Sequence, residues 1–102
     1  MEEDDSSNNA IPEISKKVFI LALDHRLFFS VVSNAYHLEH LENRYDLSTF
    51  AGNFLGRCNG EDSTAYILNE LSLRYPLPDF VEDMIAFIND AERMGWIIEV
   101  NG

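Results

Sequence analysis

The stretch RYDLSTFAGNFLGRCNG, residues 44–60, changes period in its middle. Tyr45 and Leu47 are two apart, which is strand spacing. From Thr49 onward, Phe50, Phe54 and Leu55 fall at i, i+4 and i+5, which is helical spacing. Ser48 stands at the join, where its side-chain oxygen can cap the helix. Asn59 and Gly60 both tolerate positive φ and are expected to end that helix. A strand over residues 44–48 therefore runs straight into a helix, and a second helix is expected after a sharp stop.

Upstream, residues 36–41 alternate Tyr36 and Leu38 with His37 and Glu39, the pattern of a strand with one wet face. Glu42-Asn43 is the expected tight turn, so residues 36–48 read as an antiparallel hairpin. Two further apolar runs, 17–23 and 27–32, are strand-length and broken by Asp24-His25-Arg26 and Ser33-Asn34, and they read as strands. A single helix over 17–32 fits the same residues, since short apolar runs do not resolve the period.

Downstream, Glu61-Asp62-Ser63 is expected to begin the second helix, with Ser63 as cap and the acids complementing the dipole. Its apolar face is Ile67, Leu68, Leu71 and Tyr75, and Pro76-Leu77-Pro78 stops it. Asp79 with Glu82 forms a capping-box pair for a third helix. Its inner stripe is Phe80, Met84, Phe87, Ile88 and Ala91, with Val81 and Ile85 off the stripe. Gly95 ends it. Residues 96–100 form either a last short strand or an apolar tail.

The 102 residues, 46% hydrophobic and 12% aromatic, make one small α+β domain: an N-terminal antiparallel β-meander followed by three α-helices. Residues 1–14 read as a disordered acidic tail, ahead of a folded unit over 15–102. No apolar run approaches a membrane span, and the acidic start is unlike a secretory signal. The single Cys58 fits a reducing cytoplasm and a small buried side chain. The net charge is −11, and beyond residue 13 thirteen acids still face seven bases. Such a surface repels phosphates and argues against nucleic acid as a partner.

No catalytic constellation stands out, and an enzyme is not expected. His25, His37 and His40 are the only histidines. His37 and His40 are three apart on a strand, so they face opposite ways and cannot share a metal. No metal or cofactor is expected. Gly52 and Gly56, four apart inside a helix, indicate close helix packing rather than a phosphate loop.

An ordered set of residues carries a resemblance: Tyr45, Leu47, Ser48, Ala51, Gly52 and Leu55; then Asn59-Gly60; then Ile67, Leu71 and Tyr75; then Val81, Asp83, Met84, Phe87, Ile88, Ala91 and Gly95-Trp96. Across residues 36–97 this resembles the PqqD family, peptide-binding domains of winged helix-turn-helix type also called RiPP recognition elements. The family usually has Asp-Gly where this chain has Asn59-Gly60. The resemblance implies a non-catalytic peptide chaperone for natural-product biosynthesis. Such a domain binds the leader of a ribosomally synthesised precursor peptide by β-strand addition. It then presents the precursor to a maturation enzyme (a radical enzyme, a cyclase or a protease). The implied site is the strand Arg44, Tyr45, Asp46, Leu47 and Ser48, with Val81 and Ile85 flooring a groove and Asp83, Asn89 and Glu92 on its rim. Two other readings stand beside it. The charge also suits a small acidic immunity or inhibitor protein that blocks a basic toxin or nuclease. The helix-turn-helix layout admits a DNA-binding regulator, though residues 63–94 carry only Arg74 and Arg93 against many acids.

Overall fold

The computed structural model describes residues 13–100, so residues 1–12 of the tail expected over 1–14 lie outside the described residues. It is a mixed α+β fold with six antiparallel strands in two sheets and three α-helices. A 3-10 turn, Glu13–Lys16, opens it and buries Ile14. Glu13 and Ile14 therefore belong to the fold, not to the tail.

One sheet is a meander of β2 (His25–Ser30), β3 (Ala35–His40) and β4 (Asn43–Leu47), in that order. The other places β1 (Val18–Leu21) between β5 (Asn59–Ser63) and β6 (Ile97–Glu99). The first strand thus leaves the expected meander and joins the end of the chain, where Phe19 faces Glu99 and Leu21 faces Ile97. Phe19 is buried, and that burial draws β1 inward. The separate strands resolve the choice over residues 17–32 against a helix. The second strand lies two residues earlier than its apolar run suggested. Val31 and Val32 sit in the turn, 85% and 99% exposed, because the turn must form before Ala35 to bring Tyr36 and Leu38 to the core side.

The β3–β4 turn is Leu41-Glu42, not Glu42-Asn43. Leu41 takes φ 58 and Asn43 is in the strand. Moving the turn by one residue moves the register by two. The register adopted sets Arg44 opposite Glu39 and Asp46 opposite His37. A Glu42-Asn43 turn would have set Asp46 against Glu39, two like charges face to face.

Helix α1 (Thr49–Gly56) starts where the period changes: Ser48 Oγ accepts from the Ala51 amide at 3.1 Å. It stops at Gly56, with Arg57 as its C-cap, three residues before Asn59-Gly60. Those two residues open β5 instead, and Gly60 does take a positive φ of 81. Glu61 and Asp62, expected at a helix start, are also in β5. The segment Asn-Gly-Glu-Asp-Ser has no apolar alternation. It is a strand because it pairs with β1, Ser63 opposite Val18 and Asn59 opposite Ile20.

Helix α2 (Thr64–Arg74) is capped by Ser63, whose Oγ accepts from the Tyr66 amide at 3.1 Å. Buried Thr64 ties the helix start to β1 by donating from Oγ1 to the Lys17 carbonyl at 2.9 Å. Helix α3 (Phe80–Arg93) follows the Pro76–Pro78 stop. Asp79 occupies its N-cap without a side-chain bond, so the expected capping box with Glu82 does not form. Gly95, at φ 80, turns the chain into β6. Phe19, Leu38, Phe54, Leu55, Leu71, Ile88 and Ile97 meet in one core shared by both sheets and all three helices.

Candidate functional site

Strand β4 ends its sheet: it pairs with β3 on one side, and no described strand pairs with the other. The hairpin closes on the His40–Asn43 pair across two residues. The pair flanking such a loop exchanges backbone hydrogen bonds, and bonding alternates along the ladder. Asn43, Tyr45 and Leu47 therefore direct their N–H and C=O groups to β3. Those of Arg44 and Asp46 point to the unpaired edge.

The side chains of β4 divide by face. Tyr45 and Leu47 turn inward, half-buried against the core. The Tyr45 ring lies 5.0 Å from that of Trp96, which lies 6.4 Å from Phe87 of α3. Trp96 thus links the strand to the third helix. Phe50 extends the aromatic floor to Tyr75 and Phe80, at 4.8 and 5.4 Å.

Arg44 and Asp46 turn to the outer face. Arg44 donates to Glu39 Oε2 at 2.9 Å, and Arg26 donates to Glu39 Oε1 at 3.2 Å. The hydrogen bond from Arg44, reinforced by Arg26, holds the Glu39 carboxyl below its usual range, against a smaller opposing effect of burial. Both guanidinium groups lie over the Phe28 ring, at 4.6 Å for Arg26 and 5.4 Å for Arg44. Beside them Asp46 Oδ1 accepts from His37 Nδ1 at 2.9 Å, and His37 Nε2 meets Ser33 Oγ at 2.8 Å. An ionised carboxylate only accepts, so Nδ1 donates to it; in the neutral ring Nε2 then accepts from the Ser33 hydroxyl.

This row has the connectivity of a serine-hydrolase triad, and no sequence spacing announced it. The surroundings do not match that chemistry. The Asp46 side chain is 85% exposed to water, whereas the acid of such a triad is buried. The amide of Ser33 itself, one donor an oxyanion hole could use, is already given to Ser30 Oγ at 3.2 Å. The row is a fastener between the β2–β3 turn and the edge strand β4. Its signal in the sequence was the complementary pairing of His37 with Asp46 in the correct register.

The remaining expected residues are spread along α3 and its neighbours. Ser48 is exposed and serves as the α1 cap. Val81 is 45% exposed, and Ile85 is half-buried against the core. Asp83 and Asn89 are exposed. Glu92 is not a free rim residue: Lys17 Nζ lies 3.2 Å from its Oε2 and 3.7 Å from Glu99 Oε1. The hydrogen bond to Glu92, more than the charge of either acid, raises the Lys17 pKa. Glu92 thus belongs to the lock between α3 and β1. Cys58 is buried and donates its thiol to the Phe54 carbonyl at 3.4 Å. Burial pushes that thiol up to about 12.

Among the described residues no helix is long and apolar enough to cross a membrane, and no group of three or more His, Cys, Asp or Glu could hold a metal ion. No family model matches this chain, and no curated protein or solved structure matches it significantly.

Proposed function

We propose that the chain is a non-catalytic peptide-binding domain of winged helix-turn-helix type, with α2 and α3 as the helix pair and the β2–β4 meander as the wing. It takes the leader of a ribosomally made precursor as an added strand on β4 and presents the precursor to a modifying enzyme in the cytoplasm. The observation that carries this reading is the free edge of β4 at Arg44 and Asp46, set above a half-buried apolar row. Strand addition draws affinity from backbone pairing and specificity from pockets beneath alternate side chains. Tyr45 and Leu47 supply such a surface on β4, while Ile85, half-buried, and Val81, exposed, stand on α3. An exposed edge of this kind otherwise invites aggregation, and a physiological strand partner is the simplest reason to retain it.

The test is titration of the purified protein with the leader of each short precursor encoded beside it. The expected result is saturable binding at about micromolar concentrations. Compared with Asp46→Asn, Asp46→Pro removes an outward donor without touching the backbone ladder to β3, and it should weaken binding by about tenfold, one hydrogen bond's worth. Tyr45→Pro is the contrast, since its amide faces β3 and its loss should loosen the hairpin itself. Binding by no neighbouring leader, or unchanged affinity in a folded Asp46→Pro protein, overturns the reading.

A further inference from the structure

We infer that the peptide received on β4 carries a lysine or arginine directly opposite Asp46, with apolar residues immediately before and after it. This rests on the strand-addition reading and specifies its ligand. Asp46 directs its backbone groups to the free edge, so an added strand places one residue squarely across from it. Directly opposed residues on one face have Cβ atoms about 4.5–5.5 Å apart, close enough for opposite charges to pair. The side chain opposite Asp46 therefore emerges on the outer face beside the Asp46 carboxylate. Its two neighbours point inward over Tyr45 and Leu47, where apolar groups are favoured.

The carboxylate is prepared for a cation. Its Oδ1 is held by His37, and the His37 ring is itself fixed between Ser33 and Asp46 with only 9% of its side chain exposed. The Asp46 side chain is otherwise open to water, and no described lysine or arginine pairs with it. Arg44, two residues along the same face, does not neutralise it, because Glu39 holds Arg44 and Arg26 together. An oriented carboxylate that no described lysine or arginine occupies loses less side-chain freedom on pairing than a mobile surface acid does. The net charge of −11 adds a general attraction for a cationic segment.

The experiment is selection of a displayed random peptide library on the full-length protein and on its Asp46→Lys variant, followed by titration of synthetic copies of the enriched peptides. The expected wild-type consensus is a Lys or Arg between two apolar residues, and Asp46→Lys should enrich Asp or Glu at the same position. Replacing the cation by Ala should cost about three- to fivefold on wild type and nothing on Asp46→Asn. Enriched peptides that need the edge amide, lost in Asp46→Pro, but show no cationic preference overturn this inference and leave strand addition standing. No enriched peptide at all, or peptides indifferent to Asp46→Pro, overturn the strand-addition reading itself.

Discussion

Cys58 illustrates how burial decides chemistry at a single residue. Its thiol is enclosed at the end of α1, and with its pKa pushed up to about 12 it is almost wholly protonated at neutral pH. The thiolate is the reactive species, so the folded protein should resist a disulfide reagent at about pH 8 and react only as fast as it opens. Mass spectrometry after timed labelling, with and without urea, checks this; rapid labelling of the native protein would contradict it. Gly52 makes a harsher point. A Cβ built there would lie 2.2 Å from Tyr36 Cγ and 2.5 Å from Tyr36 Cβ, too near the strand backbone for a rotamer change to relieve it. Gly52→Ala should therefore cost about 1–3 kcal/mol or more, read as a lower urea midpoint. Gly56→Ala, whose new methyl would meet Leu27 at 3.6 Å, should be tolerated.

At the scale of elements, the outer face of the meander is an ionic ladder across three strands: Arg26 on β2, Glu39 on β3, Arg44 on β4. Glu39 has a lower pKa folded than unfolded, so its contribution to stability is present above its usual 4.5 and is lost as pH falls through the depressed folded value. Glu39→Gln should then lower the urea midpoint at neutral pH, by an amount that shrinks as pH falls below about 4.5. A deficit that stayed the same as pH fell would show that Glu39 acts through shape and not charge. The hairpin also shows what was legible in the sequence. The strand-to-helix joint, the Ser48 and Ser63 caps, the proline stop and the Gly95 turn were readable, because each depends on a few adjacent residues with fixed backbone preferences. Strand β5 was not, because Asn59, Glu61 and Asp62 carry no strand pattern and are held by backbone pairing to a strand some forty positions away. The Leu41-Glu42 turn was hidden for a different reason. Leu at positive φ is disfavoured locally, and it is adopted because the cross-strand charges and the buried Leu38 gain more. Of the candidate site, the edge strand could be anticipated, but His37 and Ser33 could not until the register was known.

For the whole molecule, the decisive strand is β1. It lies between β5 and β6 and places Phe19, 1% exposed, into the core shared with the meander and helices. Phe19→Ala should cost about 3–5 kcal/mol, a large share of the stability of a domain this size. Far-UV circular dichroism and Trp96 fluorescence should lose their transitions together in urea, since both sheets share that core; two separated transitions would show that the sheets fold independently.

The position of β1 also sets an order on the making of the protein. Phe19 pairs with Glu99, eighty positions later, and Val18 accepts a hydrogen bond from the Val100 amide at 2.7 Å. During synthesis the meander and α1 are complete while β6 is still untranslated, so β1 can pair with β5 on one side but lacks its second neighbour until residues 97–99 emerge. A ribosome halted before residue 97 would hold a chain in which the edge of β4 is already formed but one side of β1 is still open. In that interval the open side of β1 and the outer side of β4 can meet, and the arrival of residues 97–99 closes β1.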